Sequence, residues 1–255
     1  MDYTYQEKFK YSHHNPYHDR LAEFSHLVMR DEESEVYRNQ WNLTIFKRSA
    51  PLVLEIGSGY GDFMMHFCRL FPEINFVGLD YRFKRTFELA KKLALSALNN
   101  FKYLRARGER IGHIFEANEV DHIFYFFPDP WPKTRHNKKR LFQQIFLESA
   151  YKILRPGGRI YIKTDHDDYA VWISKEIKKS TQFKLLFDTN DLKTEFPEHF
   201  LGSHETKFEK IFISRGVKIK GFVIETLKPA SNNSEIIYKA YDFERKLETD
   251  KICQQ

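Results

Sequence analysis

The chain has 255 residues, enough for one α/β domain with a sizeable core. Its 41 Lys and Arg outnumber 35 Asp and Glu, and the resulting net charge of +6 suits an anionic partner such as nucleic acid. Two cysteines, Cys68 and Cys253, make no disulfide framework, no run approaches the ~18 apolar residues of a membrane span, and the opening MDYTYQEKFK has no apolar signal core, so the expectation is a soluble cytoplasmic protein.

Residues 1–30 are polar, aromatic and histidine-rich, and read as a mobile, partly basic arm. His13, His14 and His18 raise the question of a metal, but no Cys or carboxylate stands at ligand-like spacing, so none is expected. From Leu21 to Phe46 the pattern is weakly helical, with Leu27, Val36, Trp41, Leu43 and Ile45 as packing candidates. Ser49-Ala50-Pro51 breaks the chain, and Leu52–Ile56 is a short buried strand. It runs into Gly57-Ser58-Gly59-Tyr60-Gly61, and a helix follows through Phe63, Phe67 and Leu70. Strand, glycine loop and helix let backbone approach a nucleotide-like ligand. The spacing is G-x-G-x-G with Asp62 in the sixth place, where a dinucleotide fingerprint has glycine. An acid at a helix N-terminus repels pyrophosphate and tolerates an ammonium, which points away from NAD and towards S-adenosylmethionine.

Ile74–Leu79 is the second strand of this unit and ends at Asp80, 23 residues after Gly57, close to the ~20 expected for an acid that accepts from ribose hydroxyls. Capping the next helix is the competing role for Asp80. That helix spans roughly Arg82 to Leu98 and stops at Asn99-Asn100. A strand Phe101–Leu104, a basic turn Arg105–Arg110 and a helical turn Ile111–Phe115 follow. Val120–Phe127 is an apolar strand, ended by three prolines in the five residues Pro128-Asp129-Pro130-Trp131-Pro132. Each residue before a proline is pushed towards extended geometry, so Asp129 sits on a stiff loop at the C-terminal end of a strand, where open α/β sheets bind ligands. Lys133, Arg135, Lys138, Lys139 and Arg140 come next, around the start of a helix predicted over Asn137–Leu154. Cations there oppose the macrodipole at about 0.3–1 kcal/mol each, so they read either as a solvated face or as phosphate contacts.

Arg155-Pro156-Gly157-Gly158 stops that helix, and Arg159–Lys163 is a strand leading to Thr164-Asp165. Asp165 either caps the helix Asp167–Lys178 or serves a site at the strand end. Phe183–Phe187 is a strand, residues 190–204 are irregular, and Thr206-Lys207-Phe208-Glu209 opens a short helix to Arg215, with Thr206 and Glu209 at capping-box spacing. Lys218–Leu227 is the last strand, and the tail from Lys228 shows no chemistry. The divisions are an arm and helical lead-in at 1–48, the main domain at 49–227 and a tail at 228–255.

Glu55-Ile56-Gly57-x-Gly59-x-Gly61, the block Phe126–Lys133 continuing to Leu141, Thr164-Asp165, and Thr206-x-Phe208-Glu209 together resemble the bacterial tRNA (guanine-N7)-methyltransferases, from about Asn15 to Leu227. The resemblance implies a Rossmann-like class I methyltransferase fold, an α/β seven-stranded, mostly parallel sheet with helices on both faces. It implies methyl transfer from S-adenosylmethionine to N7 of guanine 46 in the tRNA variable loop. Glu55, Gly57, Gly59, Gly61, Asp80, Ala106, Arg107 and Asp129 fall on cofactor-binding positions, and Asp129 also faces the reacting guanine. Lys133, Asp165, Thr206, Lys207, Phe208 and Glu209 fall on substrate-binding positions, with Arg135, Lys138, Lys139 and Arg140 read as phosphate contacts. One departure stands out: Ala106 replaces the family's usual acid. The rival expectations are an RNA-binding protein with a lapsed cofactor site, or a methyltransferase acting on another RNA.

Overall fold

The computed structural model describes residues 3–232, 235–236 and 239–245. The elements in chain order are α1 (Pro16–Arg20), β1 (Val28–Arg30), β2 (Leu52–Ile56), α2 (Asp62–Leu70), β3 (Asn75–Asp80), α3 (Phe83–Ala94), β4 (Phe101–Arg105), α4 (Ile111–Ile114) and β5 (Val120–Phe126). They continue with α5 (Gln144–Ile153), β6 (Leu154–Thr164), α6 (Asp167–Lys179), β7 (Phe183–Thr189), α7 (Leu192–Glu195), α8 (Phe200–Ser203), α9 (Lys207–Ser214) and β8 (Lys220–Thr226). The main sheet has eight strands in the order β1-β4-β3-β2-β5-β6-β8-β7. Pairing is parallel from β1 through β6, and β8 runs antiparallel to both β6 and β7. This is the doubly wound α/β arrangement, with its topological switch point between β2 and β5.

Alternation along β2 sorts the core into two layers. Leu52, Leu54 and Ile56 pack on the face carrying α4, α5 and α6. Val53 packs on the other face with Phe63, Phe67 and Phe76. Glu55 shares the Val53 parity, so its carboxylate is carried into the α2 side, where it is buried.

Several expectations change. The sheet has one strand more than the seven anticipated, because Val28–Arg30 pairs with Tyr103–Arg105 at the β4 edge. Three residues are too few for a period-2 pattern to show. The lead-in is otherwise made of single turns: Trp41 is fully buried and Leu27 and Ile45 pack, but Val36 and Leu43 are exposed. The helix expected from Asn137 starts only at Gln144, because a 3-10 turn over Thr134–Lys139 comes first. The helix expected to reach Leu98 ends at Ala94. Residues 190–204 contain the single-turn helices α7 and α8.

The arm and the described part of the tail are packed rather than loose. Arg110, buried beside the sheet, donates to the carbonyls of Thr4 (3.0 Å) and Gln6 (2.7 Å) and pairs with Glu35. A buried guanidinium needs acceptors, and the arm supplies them. At the other end, Phe243 is fully buried among Phe67, Phe71, Phe124, Tyr161 and Phe200. The Tyr241 N–H donates to Asp121 Oδ1 (2.8 Å), while Asp121 Oδ2 accepts from the Leu52 N–H (2.8 Å). Among the described residues no helix is long and apolar enough to cross a membrane.

Candidate active site

A cleft of about 780 Å³ opens at the C-terminal ends of β2, β3 and β5, at the switch point. Ile56, Gly57, Leu79 and Asp80 line its base, Arg107 and Gly108 one wall, and Phe126–Asp129 with Trp131 the other. Lys138 and Lys139 stand on its rim.

The glycine loop is built by backbone geometry. Gly57, Gly59 and Gly61 all have positive φ. Gly61 has a second constraint, since a Cβ there would meet Leu89 Cδ1 at 2.6 Å. The Gly57 and Ser58 N–H groups donate to Leu79 O (2.7 and 3.0 Å), which ties the loop to β3. Asp80 completes the tie: Oδ2 accepts from the Gly59 N–H (3.1 Å) and Oδ1 from the Arg82 N–H (2.8 Å). Burial pushes its carboxyl up. Asp80 thus braces the turn before α3 instead of capping the helix, and each carboxylate oxygen keeps a second lone pair for a hydroxyl.

Glu55 lies under the loop and is buried, with Oε2 lacking a hydrogen-bond partner among the described residues. Burial pushes its carboxyl up to about 8, and the nearby Asp62 and Asp80 add to the rise. A buried carboxylate oxygen with no partner calls for a cationic hydrogen-bond donor. It suits an amino-acid ammonium group.

The proline loop is strained and braced. Phe127 (φ 50°) and Trp131 (φ 45°) each precede a proline, yet instead of the extended geometry expected there they take the left-handed region, at about 1–3 kcal/mol each. Three groups hold it. The Phe127 N–H donates to Lys163 O (2.8 Å), Arg140 Nε donates to Pro130 O (2.9 Å), and the Lys139 ammonium lies 4.6 Å from the Trp131 ring centre. Asp129 is thereby presented at the cleft, where Oδ2 accepts from Arg82 Nη2 at 3.0 Å. Both partners are nearly half exposed, so the pair is worth about 0–1 kcal/mol and yields readily to a substrate.

The expected substrate residues divide. Lys133, Arg135, Lys138 and Lys139 are all exposed, and Lys138 and Lys139 line the cleft. Arg140 is not: it is buried, with Tyr169 and Trp172 rings 5.2 and 5.0 Å away, and it supports the loop instead of meeting phosphate. Asp165 is partly exposed at the end of β6. Thr206 and Glu209 form the capping box of α9, and Glu209 Oε2 also accepts from the buried Lys163 ammonium at 2.8 Å. Burial disfavours the charge on both members of that pair, and their mutual attraction opposes it. Lys207 and Phe208 are exposed. Lys163 links this segment to the proline loop, because its carbonyl anchors Phe127.

Ala106 is fully buried and its N–H donates to Asp80 O (3.2 Å), so no side chain from this position reaches the cleft. Glu109, three residues on, lines the cleft, as do Thr4, Tyr81 and Arg82. Sequence reasoning missed these four. Arg82 alone left a trace, as a cation two residues after the strand-end acid.

Residues 49–222 match the model of a family described as putative methyltransferase. The chain belongs to this family. A tRNA (guanine-N(7)-)-methyltransferase of Bdellovibrio bacteriovorus is 30% identical over 78% of this chain and 94% of its own length. One of Enterococcus faecalis is 34% identical over 78% of this chain and 90% of its own. A bifunctional glycosyltransferase/methyltransferase of Fusobacterium nucleatum is 31% identical over 80% of this chain, which spans only 33% of that relative. Among solved structures, the 16S rRNA methyltransferase KamB is similar with a TM-score of 0.53 at 18% identity, covering 72% of this chain and 90% of that one. That likeness shows the fold, and the eight-stranded sheet is the class I methyltransferase sheet with one added edge strand. Family membership implies S-adenosylmethionine as methyl donor, and the orphaned Glu55 oxygen, the glycine loop and Asp80 fit it.

Proposed function

We propose that this chain methylates N7 of guanine 46 in the variable loop of tRNA, with S-adenosylmethionine as donor. The observation that carries the reading is the convergence, on one switch-point cleft, of the glycine loop over Glu55, Asp80 and the braced Asp129 loop with its basic rim. The relatives' activity on tRNA guanine supports the choice of substrate.

Bound S-adenosylmethionine supplies a methyl group on a positively charged sulfur. Glu55 would hold the ammonium end and Asp80 the ribose hydroxyls. Guanine N7 carries an in-plane lone pair and no proton, so no residue acts as general base. The chain's contribution is position and electrostatics. As the purine gains charge, Asp129 stabilises it from a loop that does not have to reorganise. Arg82 must release Asp129 first, and the weakness of that exposed pair makes the exchange cheap. Asp165 is assigned to accept from guanine N1–H and the exocyclic amine, a donor pair adenine lacks. Glu209, held through Oε2 by Lys163, positions the Thr206–Phe208 segment. The target guanine lies in folded RNA, so unstacking or flipping accompanies binding. Lys133, Arg135, Lys138 and Lys139 meet phosphates.

The test is transfer of a labelled methyl group from S-adenosylmethionine to unmodified tRNA, run beside calorimetry with the donor. Transfer to tRNA and saturable donor binding are the expected results. RNA binding with neither would favour the lapsed-site reading and implicate Ala106.

A further inference from the structure

We propose that His13, His18 and Asp31 form a binding site for a zinc-class divalent cation, with water completing its shell, which staples the N-terminal arm to the edge of the sheet. His13 Nε2, His18 Nδ1 and Asp31 Oδ2 all lie within 4.8 Å of one another. Asp31 Oδ2 is 3.2 Å from His18 Nδ1 and 3.8 Å from His13 Nε2, and His13 Nε2 is 2.9 Å from Glu32 Oε2. A tetrahedron with bonds of about 2.0–2.1 Å has edges of roughly 3.4 Å, so these separations need only small adjustment.

Two observations separate this cluster from an ordinary ion pair. Asp31 is fully buried, and its Oδ2 and the His18 Nδ1 are sealed from solvent with no hydrogen-bond partner among the described residues. The two orphaned atoms lie 3.2 Å apart, close enough for one cation to satisfy both. The second is the placement of the imidazoles. The two rings stack at 4.2 Å and 13°, which brings a nitrogen of each within 3.8 Å of the same buried carboxylate oxygen.

The surroundings are those of a metal ligand set. Arg105 donates to Asp31 Oδ1, the oxygen turned away from the imidazoles, and so orients the carboxylate. Asp31 itself has a positive φ of 52°, a strained conformation for a non-glycine residue that places its side chain inward at the end of β1. Two imidazoles with a carboxylate favour zinc over magnesium or calcium. Loading requires the stacked rings to splay so that their lone pairs converge. The histidines raised the question of a metal in the sequence, but their carboxylate partner was hidden, because Asp31 stands 13 residues beyond His18.

The test uses the untagged full-length chain, stripped with a chelator and titrated with Zn²⁺ against a chromophoric competitor. One Zn²⁺ per chain is expected, with a raised melting temperature and, for Co²⁺ in its place, visible bands of four-coordinate intensity. The His13→Ala/His18→Ala double variant should weaken binding by at least about a hundredfold, the upper range seen even for outer-shell changes. His14→Ala, an exposed neighbour outside the cluster, should bind as the parent does. Circular dichroism of the stripped proteins checks that the double variant is folded. Absence of stoichiometric binding, or equal binding by the folded double variant, overturns the proposal.

Discussion

Asp129 and Glu55 are two carboxylates put to different uses by their surroundings. Asp129 is exposed and paired with Arg82, so it is ready to face a developing positive charge. Asp129→Asn should cut turnover by about 10²–10³, the scale of losing one preorganised electrostatic partner, with donor affinity measured by calorimetry little changed. Glu55 is buried with its carboxyl raised to about 8. Between its ordinary value and 8 the folded chain binds a proton that the unfolded chain does not, so this residue's contribution to stability falls as pH rises through that window. Thermal melts should therefore show the parent losing stability from about pH 5 to 8 relative to Glu55→Gln. Donor affinity of the parent should rise over the same range, as the carboxylate forms, while that of Glu55→Gln stays low and flat. Asp80 and Thr206 teach a different lesson about sequence. Each carried a capping role beside a ligand role; Thr206 does cap α9, while Asp80 accepts from the N–H of Arg82 just before α3, because backbone N–H groups at a helix start need an acceptor whether or not a ligand is near.

At the level of elements, the strand β5 and the proline loop after it were plain in the sequence, because an apolar run and three prolines act locally. What the loop leans on was not. Arg140 looked like one more cation in a basic run, and only the fold buries it against Tyr169, Trp172 and the Pro130 carbonyl. This gives a clean contrast in RNA binding. Lys138→Ala/Lys139→Ala should reduce the salt slope of tRNA affinity by about 1.4–1.8, at roughly 0.7–0.9 per phosphate contact. Arg140→Ala should leave the slope unchanged and lower both thermal stability and turnover, because the brace on a strained loop is lost. Equal slope changes in the two variants would return Arg140 to the phosphate-binding set. The capped segment at α9 behaves similarly: Glu209→Gln leaves the Lys163 ammonium buried without its partner, a loss of about 3–5 kcal/mol.

Over the whole molecule, alternating strands and helices made the doubly wound sheet readable, while its edges and ends were not. β1 is three residues long and owes its existence to β4. Phe243 lies in a polar, charged tail and becomes core only by reaching across to Phe67, Phe124 and Phe200. Phe243→Ala should cost about 3–5 kcal/mol in denaturant unfolding, far more than an unattached tail would show. The arm is similarly tied down through Arg110, and it brings Thr4 to the cleft. The sheet and the arm thus border the cleft, and the central claim is the reaction there. The most direct measurement is nucleoside mass spectrometry on unmodified tRNA incubated with the protein and S-adenosylmethionine. The expected result is 7-methylguanosine that depends on the protein and disappears when the variable-loop guanine is replaced. A tRNA that binds tightly, in the presence of bound donor, yet yields no 7-methylguanosine would contradict the account.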